Sequence, residues 1–257
     1  MEDPGAAARI EALRRRLRHY DPAQLAFQLA EIAGERTYLR HGIALAPGDV
    51  VLDVGANVGV AAAFFAVECR AGAVHCFEPV APIFALLEEN VAGLPACVAH
   101  PYGLGAAPGR TEITFYRGAA AMSGLYADAE RDRALVRTAL ANRGIEGADA
   151  DAQLAGRYEP ERLPCELRTV SAFIREQGLG RVDLLKIDVE RAELDVLAGL
   201  EELHWPLVRQ IVLEAHDEDG RVAELERELA ARGFAVAVDQ EAAMRGTGVR
   251  MLYARRA

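Results

Sequence analysis

From residue 49 onward, short apolar runs alternate with stretches of helical periodicity, the rhythm of βαβ units that build a parallel sheet. The runs at 50–54 (VVLDV), 73–77 (AVHCF), 97–100, 182–187 (VDLLKI) and 208–213 (VRQIVL) predict strands. Helices are expected between them at 58–69, at 80–92, where Val80, Phe84, Leu87 and Val91 keep register, and at 190–203. A further helix at 221–231 carries Val222, Leu225 and Leu229 and stops at Gly233, which suits a left-handed C-terminal cap. The last two runs, 234–238 and 249–254, are joined by a polar stretch too short for a helical crossover, so they are expected to pair antiparallel.

Two regions break this rhythm. Residues 6–18 place Ile10, Leu13 and Leu17 on one helical face, with Arg9, Arg14, Arg15, Arg16 and Arg18 on the other. A second helix is predicted after Asp21-Pro22, an N-cap followed by a proline at the first helical position. After an extra strand at 111–116 (TEITFY), the segment 117–168 is polar, rich in Arg and Asp, and too long for an ordinary connection. It should carry a helix near 128–142, where Ala134, Leu135, Thr138 and Leu140 lean apolar, and insertions at the mouth of an α/β sheet commonly serve as lids.

Composition narrows the function classes. With 257 residues, 51% hydrophobic and 26% charged, the chain has material for a real core and is not globally disordered. A net charge of −10, with aromatics at only 6%, argues against an RNA- or DNA-binding protein, which needs a basic face and stacking aromatics. No run of about 18 apolar residues predicts a membrane span. The start Met1-Glu2-Asp3-Pro4 lacks the basic-then-apolar order of a signal peptide, so a cytoplasmic protein is expected. Cys69, Cys76, Cys97 and Cys165 are scattered outside any zinc spacing and read as buried thiols of a reducing compartment.

The strongest chemical signal is Asp53-Val54-Gly55-Ala56-Asn57-Val58-Gly59, directly after the first strand and opening a helix. Glycines let the backbone turn sharply, and open parallel sheets bind ligands at the carboxyl ends of their strands. A dinucleotide fingerprint would read G-x-G-x-x-G. Here Asn57 takes the place of its second glycine and Asp53 would repel a pyrophosphate, so a cationic ligand suits the loop better. A phosphate-cradling P-loop is absent. The second strand ends in Phe77-Glu78-Pro79, where a carboxylate is placed to accept both ribose hydroxyls of an adenosine. Adenosine combined with a cation points to S-adenosylmethionine.

At this point the motifs carry a resemblance. DVVLDVGANVGVAAAFFA, HCFEPV, VDLLKIDVERAELDVLAGL and IVLEAH, in this order, resemble the FkbM-type family of S-adenosylmethionine-dependent methyltransferases over about residues 35–255. The resemblance implies the class I methyltransferase fold, an α/β Rossmann-like doubly wound sheet of order 3-2-1-4-5-7-6 with the last strand antiparallel. It also implies that Asp53, Gly55, Asn57 and Gly59 line the methionine and ribose portion, that Glu78 holds the ribose diol with Pro79 also in the cofactor site, and that Gly103 and Leu104 lie near the adenine. The family usually has Gly where this sequence has Arg191. The short run Met122 to Tyr126 (MSGLY) is similar to members acting on polyketide or nonribosomal peptide pathways. The whole chain then reads as one domain: a helical cap at 1–48, a cofactor-binding half at 49–116, a lid insertion at 117–168 and an acceptor-side half at 169–257.

On the acceptor side, Lys186-Ile187-Asp188-Val189-Glu190 closes the fourth strand and Glu214-Ala215-His216-Asp217 the fifth. A hydroxyl acceptor needs a base, for which His216 is the first candidate, because imidazole accepts a proton near neutral pH, with Asp188 second and Glu214 beside them. Asp188, Glu214 and His216 could equally ligate Mg²⁺, which would lower the pKa of a bound hydroxyl, and the sequence leaves the two readings open. The other histidines, His19, His41, His75, His100 and His204, show no convergent partners and read as structural. The expected activity is O-methylation of a small molecule or a carrier-protein-bound natural-product intermediate, with the arginine-rich first helix a docking surface for an acidic carrier. The alternatives are an NAD-type Rossmann oxidoreductase and a catalytically silent subunit that keeps the cofactor fold.

Overall fold

The computed structural model describes residues 6–256, with side chains from Glu11 onward, so Arg9 and Ile10 of the predicted basic helix lie outside the described side chains. Its central sheet is made of β1 (Val50–Val54), β2 (Ala73–Phe77), β3 (Cys97–His100), β7 (Leu184–Ile187), β8 (Gln210–His216), β9 (Phe234–Asp239) and β10 (Val249–Arg256). Their order is β3-β2-β1-β7-β8-β10-β9, which in strands of this sheet alone is the expected 3-2-1-4-5-7-6. β10 runs antiparallel to both neighbours and the rest pair parallel, as anticipated.

Both faces of the sheet are covered, which is why its strands read as continuous apolar runs. On one face Val51, Val74, Leu184 and Val212 pack under α1 (Ala6–Arg16), α2 (Pro22–Gln28), α3 (Val60–Ala63) and α4 (Ala81–Val91). α2 and α3 each continue as a π-helical stretch, Leu29–Gly34 and Phe64–Glu68. Leu52, Leu185, Ile187 and Leu213 face the other side, under α7 (Val170–Gln177), α8 (Glu193–Ala198) and α9 (Arg221–Ala231). Asp21 caps α2 by accepting from the Ala23 amide, as the Asp-Pro signal predicted.

The fourth main strand is followed by a turn before its helix. Glu190 and Arg191 both take left-handed backbone (φ 53° and 75°), so the helix expected at 190–203 starts only at Glu193 and ends at Ala198. This conformation accounts for the glycine usual at position 191 in the resembled family.

The segment 117–168 also differs from expectation. A second sheet of order β4-β6-β5 joins β4 (Gly103–Leu104), β5 (Gly109–Tyr116) and β6 (Pro160–Arg168), with β5 and β6 antiparallel from Gly109↔Leu167 to Tyr116↔Pro160. Residues 117–159 are therefore an excursion from a hairpin whose ends meet. β6 has two prolines and several charges, which mask it as a strand. At Pro164 it has β5 alone as a neighbour, since β4 reaches only Leu167 and Arg168, so the missing N–H is tolerated there. The excursion carries α5 (Ala129–Ala141), capped by Asp128, and α6 (Gly147–Leu154), around a small core that includes Tyr116, Leu140, Leu154 and Tyr158.

Candidate active site

A cleft opens at the carboxyl ends of β1, β2, β7 and β8. Its outer wall is built from α2 and its continuation (Gln24, Gln28, Glu31) and from the start of the excursion, Ala120 to Leu125. Among its lining residues, Glu31, Glu78, Asp188, Glu190 and Glu214 are acidic and none is basic, so it favours cations.

On one side lies the glycine loop. Gly55 has φ +78°, and a Cβ there would fall 1.8 Å from the Asp188 carbonyl oxygen, so the loop lies directly on the end of β7. Asn57 is left-handed as well (φ 48°), and its amide donates to Glu78 Oε2 at 3.1 Å while the Val80 amide donates to Glu78 Oε1 at 2.8 Å. Glu78 is thereby fixed facing the cleft. Burial pushes its carboxyl up to about 7, against the two backbone donors that favour the ionised form. The buried Asn57 Oδ1 has no hydrogen-bond partner among the described residues. Pro79, Gly103 and Leu104 complete this half of the lining.

Asp53 and Gly59 are not among the lining residues. Asp53 is the register partner of Lys186 across β1 and β7, so the two side chains leave the sheet on the same face, and Lys186 Nζ lies 3.0 Å from Asp53 Oδ1. The cation that Asp53 serves is Lys186, not a ligand. Lys186 also donates to the Gly55 carbonyl at 2.8 Å; although burial opposes its charge, Asp53 and Asp188 hold its pKa above the ordinary range. Gly59 starts α3 at φ +90° and packs on α4, where a Cβ would meet Leu87 Cδ1 at 2.9 Å.

At the acceptor end, Asp188 lines the cleft but is already engaged. Its Oδ2 accepts from the Tyr38 hydroxyl at 2.9 Å and lies 3.6 Å from Lys186 Nζ. His216 is buried behind the cleft wall, with Nε2 3.3 Å from Glu190 Oε2 and Nδ1 3.8 Å from Glu193 Oε1. Burial works against its charge, yet the neighbouring carboxylates of Glu190 and Glu193 prevail and raise its pKa to about 11. At neutral pH these carboxylates favour the imidazolium, which has no lone pair to take a proton, so the structure does not favour His216 as the base. Glu214 is different: it faces the cleft, takes no hydrogen bond from the described residues, and is pushed well above the usual carboxylate range by burial and then by Asp188 and Glu190.

The ligating atoms of Glu190, Glu214 and His216 lie within 4.8 Å of one another. Asp188, expected in that set, is replaced by Glu190, because the left-handed turn at 190 brings its carboxyl back toward β8. Tyr38, Lys186, Glu190 and Glu31 were not singled out from sequence, although the acidic Asp188-Val189-Glu190 run marked the region. Of Met122–Tyr126, all but Tyr126 line the cleft; the Tyr126 hydroxyl instead donates to Asp195 at 2.7 Å. Four of the remaining histidines find partners: His75 meets His100 at 3.3 Å, His41 meets Asp239 at 2.9 Å, and His204 meets Ser171 at 2.8 Å, while the buried His19 Nδ1 has none among the described residues.

Residues 53–236 match the Methyltransferase FkbM domain family. The chain belongs to the FkbM methyltransferase family. It is 39% identical to the 31-O-demethyl-FK506 methyltransferase FkbM of Streptomyces tacrolimicus over 93% of this chain and 92% of that protein. It is 42% identical to the AMB antimetabolite synthetase AmbE of Pseudomonas aeruginosa over 84% of this chain, a match that spans only 11% of that long synthetase. Among solved structures, methyltransferase FkbM from Methylobacillus flagellatus shares the fold at a TM-score of 0.54 and 13% identity, over 96% of this chain and 58% of that one. The protein is a methyltransferase built on a class I sheet, and no described helix is long and apolar enough to cross a membrane.

Proposed function

We propose that this methyltransferase uses S-adenosylmethionine to methylate a hydroxyl of a small-molecule or carrier-bound natural-product intermediate. The observation that carries the reading is the pairing, in one cleft, of a backbone-fixed Glu78 at the end of β2 with a partnerless Glu214 at the end of β8. The residues present fit the cofactor: a buried carboxylate, an orphan Asn57 Oδ1 and a lining whose charged residues are all acidic suit a ribose diol and a sulfonium. Glu78 would hold the diol, Asn57 the adjoining polar groups, and Pro79, Gly103 and Leu104 the adenine. When bound, S-adenosylmethionine supplies an electrophilic methyl group.

The rest falls to the chain's own side chains. Lys186 and Tyr38 fix Asp188, His216 holds Glu190, and Glu214 faces the cleft in place to take the proton of an acceptor hydroxyl. In its ionised form, its raised pKa makes it a stronger base than an ordinary carboxylate. That the first relative is named for 31-O-demethyl-FK506 favours oxygen as the acceptor atom. Arg14, Arg15, Arg16 and Arg18 are exposed on or just after α1, while Leu13 and Leu17 face the core, so a basic surface is available to an acidic carrier.

The test is turnover of hydroxylated acceptors with methyl-¹³C-labelled S-adenosylmethionine, reading the product by NMR. An O-methyl resonance is expected, and Glu214→Gln should lower kcat by about 10² to 10⁴ while leaving S-adenosylhomocysteine binding intact. Wild-type kcat in Glu214→Gln would rule out its role as base. The spacing of Glu190, Glu214 and His216 favours a second reading, in which a divalent ion takes the place of the His216 proton. Calorimetric titration of MnCl₂ into EDTA-treated protein separates the two: binding that is lost in Glu190→Gln supports the ion, and no heat with full activity in EDTA removes it.

A further inference from the structure

The excursion 117–159 contributes the wall Ala120 to Leu125, where Gly124 is bridged to Thr114 of β5 by two backbone hydrogen bonds, while α5 beyond it is seated by contacts with other segments. Most of its ties to the rest of the molecule are exposed. Arg131 reaches Glu218 at 3.4 Å with its side chain 64% exposed, and the Tyr126 hydroxyl meets Asp195 in solvent. Exposed pairs of this kind contribute little. Arg157 pairs with Asp21 at the cap of α2 in a half-buried setting, and one ion pair is fully buried: Arg191 Nη1 lies 2.7 Å from Asp132 Oδ1 of α5, with the side chains 4% and 0% exposed, and Arg191 Nε donates to Glu218 Oε1 at 2.9 Å.

We propose that Arg191 is a positioning residue, a latch that seats the excursion against the acceptor end and makes closure of that side separable from cofactor binding. The assignment of that side as the acceptor chamber rests on the function proposed above. A single guanidinium joins three segments: the turn after β7, which carries Glu190 into the cleft; α5 of the excursion; and the loop after β8, which follows Glu214 and His216. Around it the fit is close. A Cβ on Gly124 would stand 2.9 Å from Glu190 Cβ, so the wall residue Gly124 rests on the residue that precedes the latch. Asp132 Oδ2 also accepts from the Asp128 amide at 3.0 Å, so the same carboxylate organises the first turn of α5 and receives Arg191. Breaking a buried pair leaves an uncompensated charge, so this contact outweighs the exposed ones.

Arg191 pays for this position with left-handed backbone at φ 75°, the conformation glycine adopts freely. Arg191→Gly therefore removes the guanidinium without adding backbone strain, and Asp132→Asn removes the other charge without emptying the site. Hydrogen exchange of the full-length protein, saturated with S-adenosylhomocysteine, reads the consequence. In both variants the amides of 129–141 and of Met122 to Leu125 should exchange at least about tenfold faster, with β1, β2 and β7 unchanged. The affinity for S-adenosylhomocysteine should stay within about twofold, and Arg191→Lys should recover part of the protection. With any hydroxylated acceptor that the wild type turns over, KM for the acceptor should rise by about tenfold or more while KM for S-adenosylmethionine holds.

Unchanged exchange in the wall and α5, or acceleration spread evenly over the central sheet, overturns the latch. If S-adenosylhomocysteine fails to bind the wild type, the cofactor reading fails instead, and the exchange comparison on the free protein still decides the role of Arg191.

Discussion

His216 shows how a neighbouring carboxylate reverses a side chain's chemistry. Its ion pair with Glu190 raises the imidazole pKa from 6.5 to about 11 in the folded protein. The folded state then holds a proton that the unfolded chain releases, so the pair's contribution to stability is fully present below pH 6.5 and drains away as pH rises toward about 11. Chemical denaturation across that window should show a steeper loss for wild type than for His216→Gln. At pH 7 the variant should be less stable by about 3 kcal/mol, because Glu190 is left buried without its counter-charge. Equal pH profiles for the two proteins would mean that His216 is neutral and available as a base. Asp53 teaches the matching lesson: its alternation within VVLDV placed it on the face opposite Leu52 and Val54, but finding its partner required the register with a strand more than a hundred residues away.

At the scale of elements, strands and helices with clear periodicity were legible: β1, β2, β3 and α9 fall on their expected ranges, and the last two strands pair antiparallel as predicted. What escaped were elements whose signals are set by tertiary context. β6 hides behind prolines tolerated at an edge, and the helix after β7 is cut back by two left-handed residues that no local pattern announces. The contact of the Gly55 turn with β7 is equally tertiary. Gly55→Ala forces a Cβ into the Asp188 carbonyl at 1.8 Å and strains a φ of +78°, so it should destabilise the protein by about 3 kcal/mol in urea titrations. Because Tyr116 and Pro160 are register partners, a short glycine-rich turn can replace 117–159. Such a deletion should fold and keep S-adenosylhomocysteine affinity within about tenfold while losing acceptor turnover. Retained turnover would show that the excursion is not part of the acceptor chamber.

For the whole molecule, the net charge of −10 sets a repulsive field toward acidic partners, against which the exposed arginines on and after α1 are a local exception. If a carrier docks there, reversing Arg14, Arg15 and Arg18 to Glu should lower kcat/KM for a carrier-bound acceptor by about tenfold at low salt and leave a free acceptor unaffected. An equal effect on both would place docking elsewhere. The same acidic balance is concentrated in the cleft, where Glu78 at the end of β2 and Glu214 at the end of β8 stand on one sheet with β1 and β7 between them. The central claim is that this cleft holds S-adenosylmethionine through Glu78. Calorimetric titration of S-adenosylhomocysteine tests it most directly. The account predicts binding near micromolar, about −8 kcal/mol, at pH 8. The affinity should fall about tenfold per unit as Glu78 protonates below pH 7, and Glu78→Ala should abolish measurable binding. No binding to folded wild-type protein, or equal affinity in Glu78→Ala, would contradict it.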